Sequence, residues 1–276
     1  MTYRDILVQV DKGAAGRARL AARLADRFKA HLTGAFLKSA FLAQYMAAEA
    51  LGGLPPTMID ELLTSHAKAV DAASEDARLV FEAAAGEAGC ATDWLTLQGD
   101  SALDLQDLAR RSDLTVMPVS TVAPLGQNRI TAAEVALGAA GPVLIVPDEA
   151  PSGDLGRNIL VGWNGGREAA RALRDAMPLL QEAEAVHVLI ISPGGMGGPE
   201  AQLQRHLEHH GITPNIIRDS SDDQVAADVF REEIKALGAD LLVMGLYGRP
   251  RLQELVLGGV SHDLLDRPPV PLLVSH

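Results

Sequence analysis

The sequence has few aromatic residues and almost no cysteine. Aromatic residues make up 4% of the 276 positions, although 47% of the chain is hydrophobic. Packing must therefore depend on Ala, Leu, Val and Gly, as it does in helix-covered parallel sheets. Cys90 is the one cysteine, which excludes a disulfide within the chain. This cysteine usage is typical of a reducing cytoplasm, where we expect the protein to reside.

Long apolar runs and an excess of positive charge are also missing. No apolar stretch approaches the roughly 20 residues that a membrane-spanning helix needs. The first residues enter a strand-like run directly, which predicts no signal peptide. The 24 Lys and Arg residues against 36 Asp and Glu residues give a formal charge of −12. We therefore expect neither nucleic acid nor a membrane as the main partner, although a local nest of N–H groups can still hold a small anion.

The chain repeats one plan twice. Three kinds of segment recur in both halves: a first strand, a later strand and a final strand flanked by proline. They lie at 4–11 and 157–164, at 112–117 and 239–244, and at 142–147 and 269–274. Extra residues in the first half, around 39–89, predict a helix at 41–51 and a long helix at 57–88.

Short continuous apolar runs alternate with segments of helical spacing in each half. Such runs are typical of strands buried on both faces of a parallel sheet. The pattern predicts an α/β fold of two tandem doubly wound domains, each with a mainly parallel five-stranded sheet. A polar Pro/Gly linker places the boundary between domains at 1–150 and 151–276.

Three segments of the second half should meet at the carboxyl edge of its sheet, where open α/β sheets bind ligands. The first is the end of strand one, Gly162, Trp163 and Asn164. The second is strand two near His187 and Val188, whose edge we expect to offer backbone groups to a base. The third is the loop at 245–261. Together they would supply the side chain, backbone groups and anion nest that a nucleotide needs.

The third segment is a glycine loop with the spacing Gly245-x2-Gly248-x9-Gly258-Gly259. A strand ending near Met244 precedes it, and a helix predicted at 260–265 follows it. Such a loop can hold a phosphate, because glycine lets the backbone approach and helix N–H groups point at the anion. The alternative is that these glycines only turn and pack the chain.

The corresponding first-half positions carry Pro118, Thr121 and Thr131, so we interpret that half as a copy without a site. Ser261, His262 and Asp263 resemble a hydrolytic trio, but consecutive helical residues point in different directions. His206 and His210 have metal-compatible spacing without further ligands nearby, which favours a solvated helix end. The sequence therefore predicts neither catalytic residues nor a metal site.

Over essentially its whole length the chain resembles the universal stress proteins, in their tandem, two-domain form. The segment 244–261 is similar to that family's ATP-binding signature. The resemblance implies a Rossmann-like fold of the adenine nucleotide alpha hydrolase type and a site for ATP, with or without Mg²⁺. Its residues would be Gly162, Trp163, Asn164, Val188, Met244, Gly245, Tyr247, Gly248, Gly258, Gly259, Val260 and Ser261.

Within that set the resemblance implies different contacts. Gly248, Gly258, Gly259 and Ser261 would contact phosphates, and the regions near Asn164, Val188 and Met244 would contact adenine or ribose. Two residues depart from the family pattern. Asn164 replaces an acidic residue that Asp11 retains in the first half, and Gly259 replaces a hydroxyl residue. An amide hydrogen-bonds a hydroxyl but brings no charge to ribose or metal.

The resemblance also implies that the two final strands pair across the domains, which makes the chain an internal pseudo-dimer. A homodimer of whole chains is a further expectation. We expect a regulatory, ATP-binding protein of the stress response with at most slow ATP hydrolysis. The alternatives are an interaction module that binds no nucleotide and acts through protein partners, and an enzyme that uses ATP to activate a substrate.

Overall fold

The computed structural model describes residues 2–39, 55–99, 101–126, 128–148, 153–192, 200–221, 225–246 and 260–276. The predicted helix at 41–51 lies outside these residues. So do four members of the predicted site: Tyr247, Gly248, Gly258 and Gly259.

The first half alternates strands and helices as the sequence predicts, and its long helix occupies the position expected for it. Its elements are β1 (Asp5–Gln9), α1 (Ala15–Phe28), β2 (His31–Leu37), α2 (Pro56–Ala88), β3 (Thr92–Leu97), α3 (Ala102–Ala109), β4 (Leu114–Pro118), β5 (Ser120–Val122), β6 (Arg129–Thr131), α4 (Ala132–Gly138) and β7 (Val143–Val146). The short antiparallel pair β5–β6 was not foreseen from the sequence.

The second half follows the same plan. Its elements are β8 (Asn158–Gly162), α5 (Arg167–Asp175), α6 (Met177–Leu180), β9 (Ala185–Ile191), α7 (Glu200–His209), β10 (Asn215–Asp219), α8 (Ala226–Leu237), β11 (Leu241–Gly245), α9 (Val260–Asp266) and β12 (Leu272–Ser275). Helical spacing continues from Ala169 to Leu180 in the sequence, whereas the structure divides this segment into α5 and α6 after Asp175. Pro178 explains the division, because it has no N–H to continue the helical hydrogen bonds.

One ten-stranded sheet contains the main strands, in the order β10-β9-β8-β11-β12-β7-β4-β1-β2-β3. Counted within each half, both sets of five strands have the order third, second, first, fourth, fifth. Pairing inside each half is parallel, and the two sets join through the antiparallel pair β12–β7. The final strands thus pair as expected, which protects two sheet edges that would otherwise be open.

Helices cover both faces of this sheet. Side chains of α1, α2, α5, α6 and α7 belong to one apolar cluster, and those of α3, α4, α8 and α9 belong to the other. Each cluster includes residues from both halves of the chain. The α/β fold class is confirmed: a mainly parallel sheet forms the middle layer, and helices form a layer on each side of it.

Aromatic side chains meet where α2 crosses the sheet. Phe81 of α2 and Trp94 of β3 have ring centroids 5.5 Å apart. Gly34 of β2 lies beneath them, and a Cβ there would be 2.7 Å from the Trp94 ring. Glycine at this position lets the two rings lie directly on the sheet.

None of the helices in the described ranges combines the length and apolar character that a membrane span requires.

Candidate functional site

The ends of β8 and β11 lie side by side at the carboxyl edge of the second half. These strands pair through Val161 and Val243, and their neighbours β9 and β12 lie on opposite sides. This is the point where strand order reverses, and ligands of open α/β sheets bind at such points. The structure brings together two of the three expected segments there, because a Cβ on Gly162 would lie 3.6 Å from the Met244 Cβ.

Gly162 has a packing role in this arrangement. A Cβ at this position would approach the Phe230 ring of α8 to 2.8 Å. The next residue, Trp163, is partly buried, and its N–H donates to the Leu189 oxygen at 2.9 Å. The close approach of the Phe230 side chain therefore favours a glycine at the last position of β8, whether or not a ligand binds.

Gly245 has an even tighter environment. A Cβ on it would lie 2.4 Å from the carbonyl carbon of Glu168 and 2.5 Å from the Ala169 nitrogen. Both atoms belong to the first turn of α5, so the backbone of β11 passes directly against that turn. For Gly162 and Gly245, the alternative that the glycines serve packing thus has direct structural support.

Asn164 shapes the turn between β8 and α5. Its side chain is exposed, and Oδ1 accepts a hydrogen bond from the Gly166 N–H at 2.8 Å. Asp11 does the same in the first half, where its Oδ1 accepts from the Gly13 N–H at 2.9 Å. Asn164 therefore makes the same turn as Asp11. Its side-chain Nδ2 also carries two N–H donors, which could donate to an acceptor atom on a ligand.

Val188 does not lie where the sequence analysis places it. It is fully buried and pairs with Val161 on one side and Ile216 on the other, so its backbone serves the sheet. The part of β9 that reaches the carboxyl edge is Ile191, followed by Ser192. The expectation of an open backbone at Val188 is thus wrong, because β9 is an interior strand that continues three residues further.

His187, beside Val188, is a rim histidine. Its Nδ1 lies 3.1 Å from the Asn215 amide nitrogen of β10. Burial lowers the pKa of the His187 imidazole, and Glu233 opposes this change. Because the Asn215 amide nitrogen donates, the Nδ1 of a neutral His187 ring accepts this hydrogen bond. We therefore assign His187 to the contact between β9 and β10 and not to a ligand site.

Glu168, the second residue of α5, belongs to this edge and was not singled out from the sequence. Its residue exposure is 8%, and its Oε1 lies 2.8 Å from an Arg167 guanidinium nitrogen. Burial disfavours its ionisation, but its own backbone N–H, Arg167 and His276 together hold the pKa of the carboxyl below its usual value. The sequence alone did not identify Glu168, because an acidic residue in the first turn of a helix is common. The burial of Glu168 against Gly245 depends on how α5 packs on the sheet.

The corresponding edge of the first half is filled by its own side chains. Arg17 of α1 is 7% exposed and donates to the Gln9 backbone oxygen, the Gln9 Oε1 and the Asp11 Oδ2, each at 2.9 Å. Gln9 in turn donates to the Thr121 hydroxyl at 3.2 Å. We call Gln9, Asp11, Arg17 and Thr121 the first-half cluster.

The second half has smaller residues at these positions. Gly162 corresponds to Gln9 at the end of the first strand, and Asn164 corresponds to Asp11 in the turn. The helical turn that carries Arg17 in α1 carries Ala169 and Ala170 in α5. The second half thus lacks counterparts of the Gln9 and Arg17 side chains, and the buried charged residue in the first turn of α5 is Glu168.

The helix after the glycine loop is present as expected. It begins at Val260, which places Ser261 in its first turn. Arg231 of α8 holds this helix through an ion pair with Asp263 at 2.9 Å. Within the described ranges, no group of three or more His, Cys, Asp or Glu residues could hold a metal ion.

A protein-family model described as the Universal stress protein family matches residues 156–276. A search of the curated proteins returns no match to this chain.

Solved structures resemble the fold over nearly the whole chain. A universal stress protein from Archaeoglobus fulgidus is 15% identical, covers 98% of this chain and 97% of its own, and has a TM-score of 0.69. A putative universal stress protein from Pseudomonas aeruginosa is 17% identical, covers 99% of this chain and 93% of its own, and has a TM-score of 0.55. At these identities the similarity concerns the fold.

Proposed function

Because residues 156–276 belong to the universal stress protein family, we propose that the second half of this chain binds an adenine nucleotide, ATP, with or without Mg²⁺. The site is the carboxyl edge of β8 and β11 together with the glycine loop that follows Gly245. Its role is regulatory: nucleotide occupancy would set the state of the protein in a stress response. The first half serves as a structural copy without a nucleotide site.

The contrast between the two edges carries this proposal. In the first half, the Arg17 guanidinium and the Gln9 amide occupy the strand end with mutual hydrogen bonds at 2.9 Å. In the second half the corresponding positions are Gly162, Ala169 and Ala170. The difference between a buried arginine in the first copy and alanine in the second, beside the buried Glu168, supports a ligand site in the second copy.

The glycines alone do not decide the matter. Packing accounts for two of them, because Gly162 lies against the Phe230 side chain and Gly245 lies against the backbone of the first turn of α5. Gly248, Gly258 and Gly259 lie outside the described residues, and the argument for them is their spacing, which is that of a phosphate-binding loop. We assign the phosphate contacts to these three residues and Ser261, and the ribose contact to Asn164.

An interaction module that binds no nucleotide is the second candidate. Asn164 favours it, because an amide offers ribose no charge-assisted hydrogen bond. Under this alternative the second-half edge would be a packing feature, and protein partners would carry the function.

Thermal unfolding with ATP and Mg²⁺ separates the two candidates. A ligand that binds only the folded state raises Tm, because it adds to the free energy of unfolding by an amount that grows with the logarithm of its concentration, about 2.7 kcal/mol at 100 times Kd. We expect this rise in the unaltered chain and its loss in Gly248→Val. The matched variant Thr121→Val, three residues after Pro118 as Gly248 is after Gly245, should keep it. Equal Tm values with and without ATP in all three proteins would contradict nucleotide binding.

A further inference from the structure

The ten-stranded sheet has an open edge at β3. This strand pairs with β2 on one side, and no strand of the described ranges lies on its other side. Its side chains are exposed or only partly buried, and Leu95 is 39% exposed. An edge strand presents a row of N–H and C=O groups that can pair with a further strand, and proteins either protect such a row or use it.

Alternate residues of β3 direct their backbone groups away from β2. The Leu32 N–H donates to the Ala91 oxygen, and the Lys38 N–H donates to the Leu97 oxygen. In a parallel ladder, the residues of a strand that bond one neighbour alternate with those that face the other side. The odd-numbered positions of β3 therefore bond β2. The positions whose N–H and C=O groups point outward are Thr92, Trp94 and Thr96.

These outward positions read the same in both directions, because threonines flank Trp94 symmetrically. If a second β3 ran antiparallel to the first with the two Trp94 residues opposite each other, each Thr92 would lie opposite a Thr96. All three pairs would be of the hydrogen-bonded type, with about six N–H···O bonds between the strands. Threonine pairs across strands are favourable, so β3 is complementary to itself.

Charge and bulk at β3 are compatible with this pairing. Asp93 would lie opposite a Leu95, so like charges would not face each other directly. An oxygen of the Asp93 carboxylate already lies 3.0 Å from the His31 Nε2 within the chain. The Trp94 ring lies over Gly34 of β2 and therefore leans away from the open edge.

The opposite edge of the sheet, β10, lacks this symmetry. The Ser192 N–H donates to the Asp219 oxygen, so the same alternation directs the backbone of Ile216 and Arg218 outward. If β10 paired with itself in the same way, the apolar Ile216 would lie opposite the charged Arg218. Arg218 also forms an ion pair with Glu200. A charged side chain on an edge strand is a common protection against pairing, which favours β3 over β10.

We propose that β3 is an interface between two copies of this chain, which join edge to edge about a twofold axis at Trp94. The two ten-stranded sheets then form one continuous sheet, and the chains pair antiparallel as β12 and β7 do within one chain. This contact is independent of the proposed nucleotide site. One strand pair is small beside the roughly 1,200 Å² of a stable interface, so the dimer dissociates on dilution.

Sedimentation equilibrium of the full chain from about 1 µM to 1 mM, the range of weak association, tests the proposal. We expect the monomer mass at low concentration and the dimer mass at high concentration. Thr96→Pro removes an outward N–H and leaves the bonds to β2 intact, because an edge strand accepts proline where its N–H faces solvent. Arg218→Pro makes the same change at β10 and is the matched control.

The expected result is a weaker dimer in one variant only. Thr96→Pro should raise the dimer Kd roughly tenfold or more, since a backbone hydrogen bond is lost at each end of the strand pair. Arg218→Pro should leave this Kd within twofold. Tm is measured first, so that only folded variants are compared, and Thr92→Pro replaces Thr96→Pro if the latter is unfolded.

Amide hydrogen exchange followed by NMR locates the contact. At high concentration the N–H groups of Thr92, Trp94 and Thr96 should gain protection, whereas those of Asp93 and Leu95, which bond β2, should change little. A monomer at every concentration would refute a second copy as the occupant of this edge. A dimer that is as tight in Thr96→Pro as in the unaltered chain would refute β3 as the interface.

Discussion

The Arg17 guanidinium donates one hydrogen bond to the backbone oxygen of Gln9 and another to its side-chain oxygen, both at 2.9 Å. Arg17 comes from the first helix and Gln9 from the end of the first strand, so the pair closes the turn between them. The equivalent elements of the second half carry alanine and glycine. This relationship is one difference between two halves that share the strand order of the main sheet.

Replacing Arg17 with alanine should destabilise the protein. The change leaves buried acceptors on Gln9 unpaired and removes the partner of Asp11, at a cost of about 2 to 3 kcal/mol. Urea unfolding measures the loss. Arg19, on the exposed face of the same helix, is the control, and Arg19→Ala should change the free energy of unfolding by less than about 0.5 kcal/mol. If both variants changed the free energy of unfolding equally, the hydrogen bonds of the first-half cluster would contribute no measurable stability.

Two glycines should respond oppositely to the same substitution. Gly245→Ala places a Cβ 2.4 Å from the backbone of Glu168, which cannot yield like a side chain, so we expect a loss of about 2 to 3 kcal/mol. Gly86 of α2 has nothing within 4 Å of its Cβ position. Gly86→Ala should raise stability by about 0.5 to 1 kcal/mol through helix propensity. Thermal unfolding of both variants checks the opposite signs, and a stable Gly245→Ala protein would contradict the contact with α5.

Asp175, the last residue of α5, should make the protein less stable at neutral pH than in mild acid. Burial raises the pKa of its carboxyl, and Ser275, Arg171 and Arg174 offset part of this rise. A raised pKa means that the folded state holds the proton more tightly than the unfolded state. Stability from this group is therefore present below the unfolded pKa of about 3.8 and is lost as pH rises through the folded pKa.

The variant Asp175→Asn removes this loss. Its free energy of unfolding should exceed that of the unaltered chain at pH 7 by less than about 1 kcal/mol, because the group is partly solvated, and the two should converge below pH 4. Asp76→Asn, exposed on α2, should show no such convergence. Denaturant titrations from pH 3.5 to 7.5 measure the difference, and a destabilised Asp175→Asn protein at pH 7 would refute the pKa assignment.

The fold was predictable because the repeat and the short apolar runs are local features of the sequence. Matching segments at 4–11 and 157–164 correspond to β1 and β8, and the proline-flanked runs correspond to β7 and β12. Proline is known to interrupt helices, but the division between α5 and α6 near Pro178 was not predicted, because helical spacing of apolar residues continues on both sides of it. The β5–β6 pair was missed because three-residue strands carry too little pattern to predict.

The site was only partly predictable, because several of its determinants are distances between remote residues. Gly162 and Gly245 were identified, but their contacts with Phe230 and Glu168 depend on how α8 and α5 lie on the sheet. Val188 was misplaced because the sequence does not reveal how far a strand continues beyond its centre. The first-half cluster was missed because Arg17 lies in a segment whose helical spacing alone does not distinguish a buried arginine from an exposed one.

The stoichiometry of ATP binding tests the central claim most directly. Equilibrium dialysis of the full chain with labelled ATP and Mg²⁺ counts the sites, and Gly248→Val and Thr121→Val assign them to a half. The account predicts one ATP per chain, lost in Gly248→Val and retained in Thr121→Val. No bound ATP, two ATP per chain, or one ATP that survives Gly248→Val would contradict a single site in the second half.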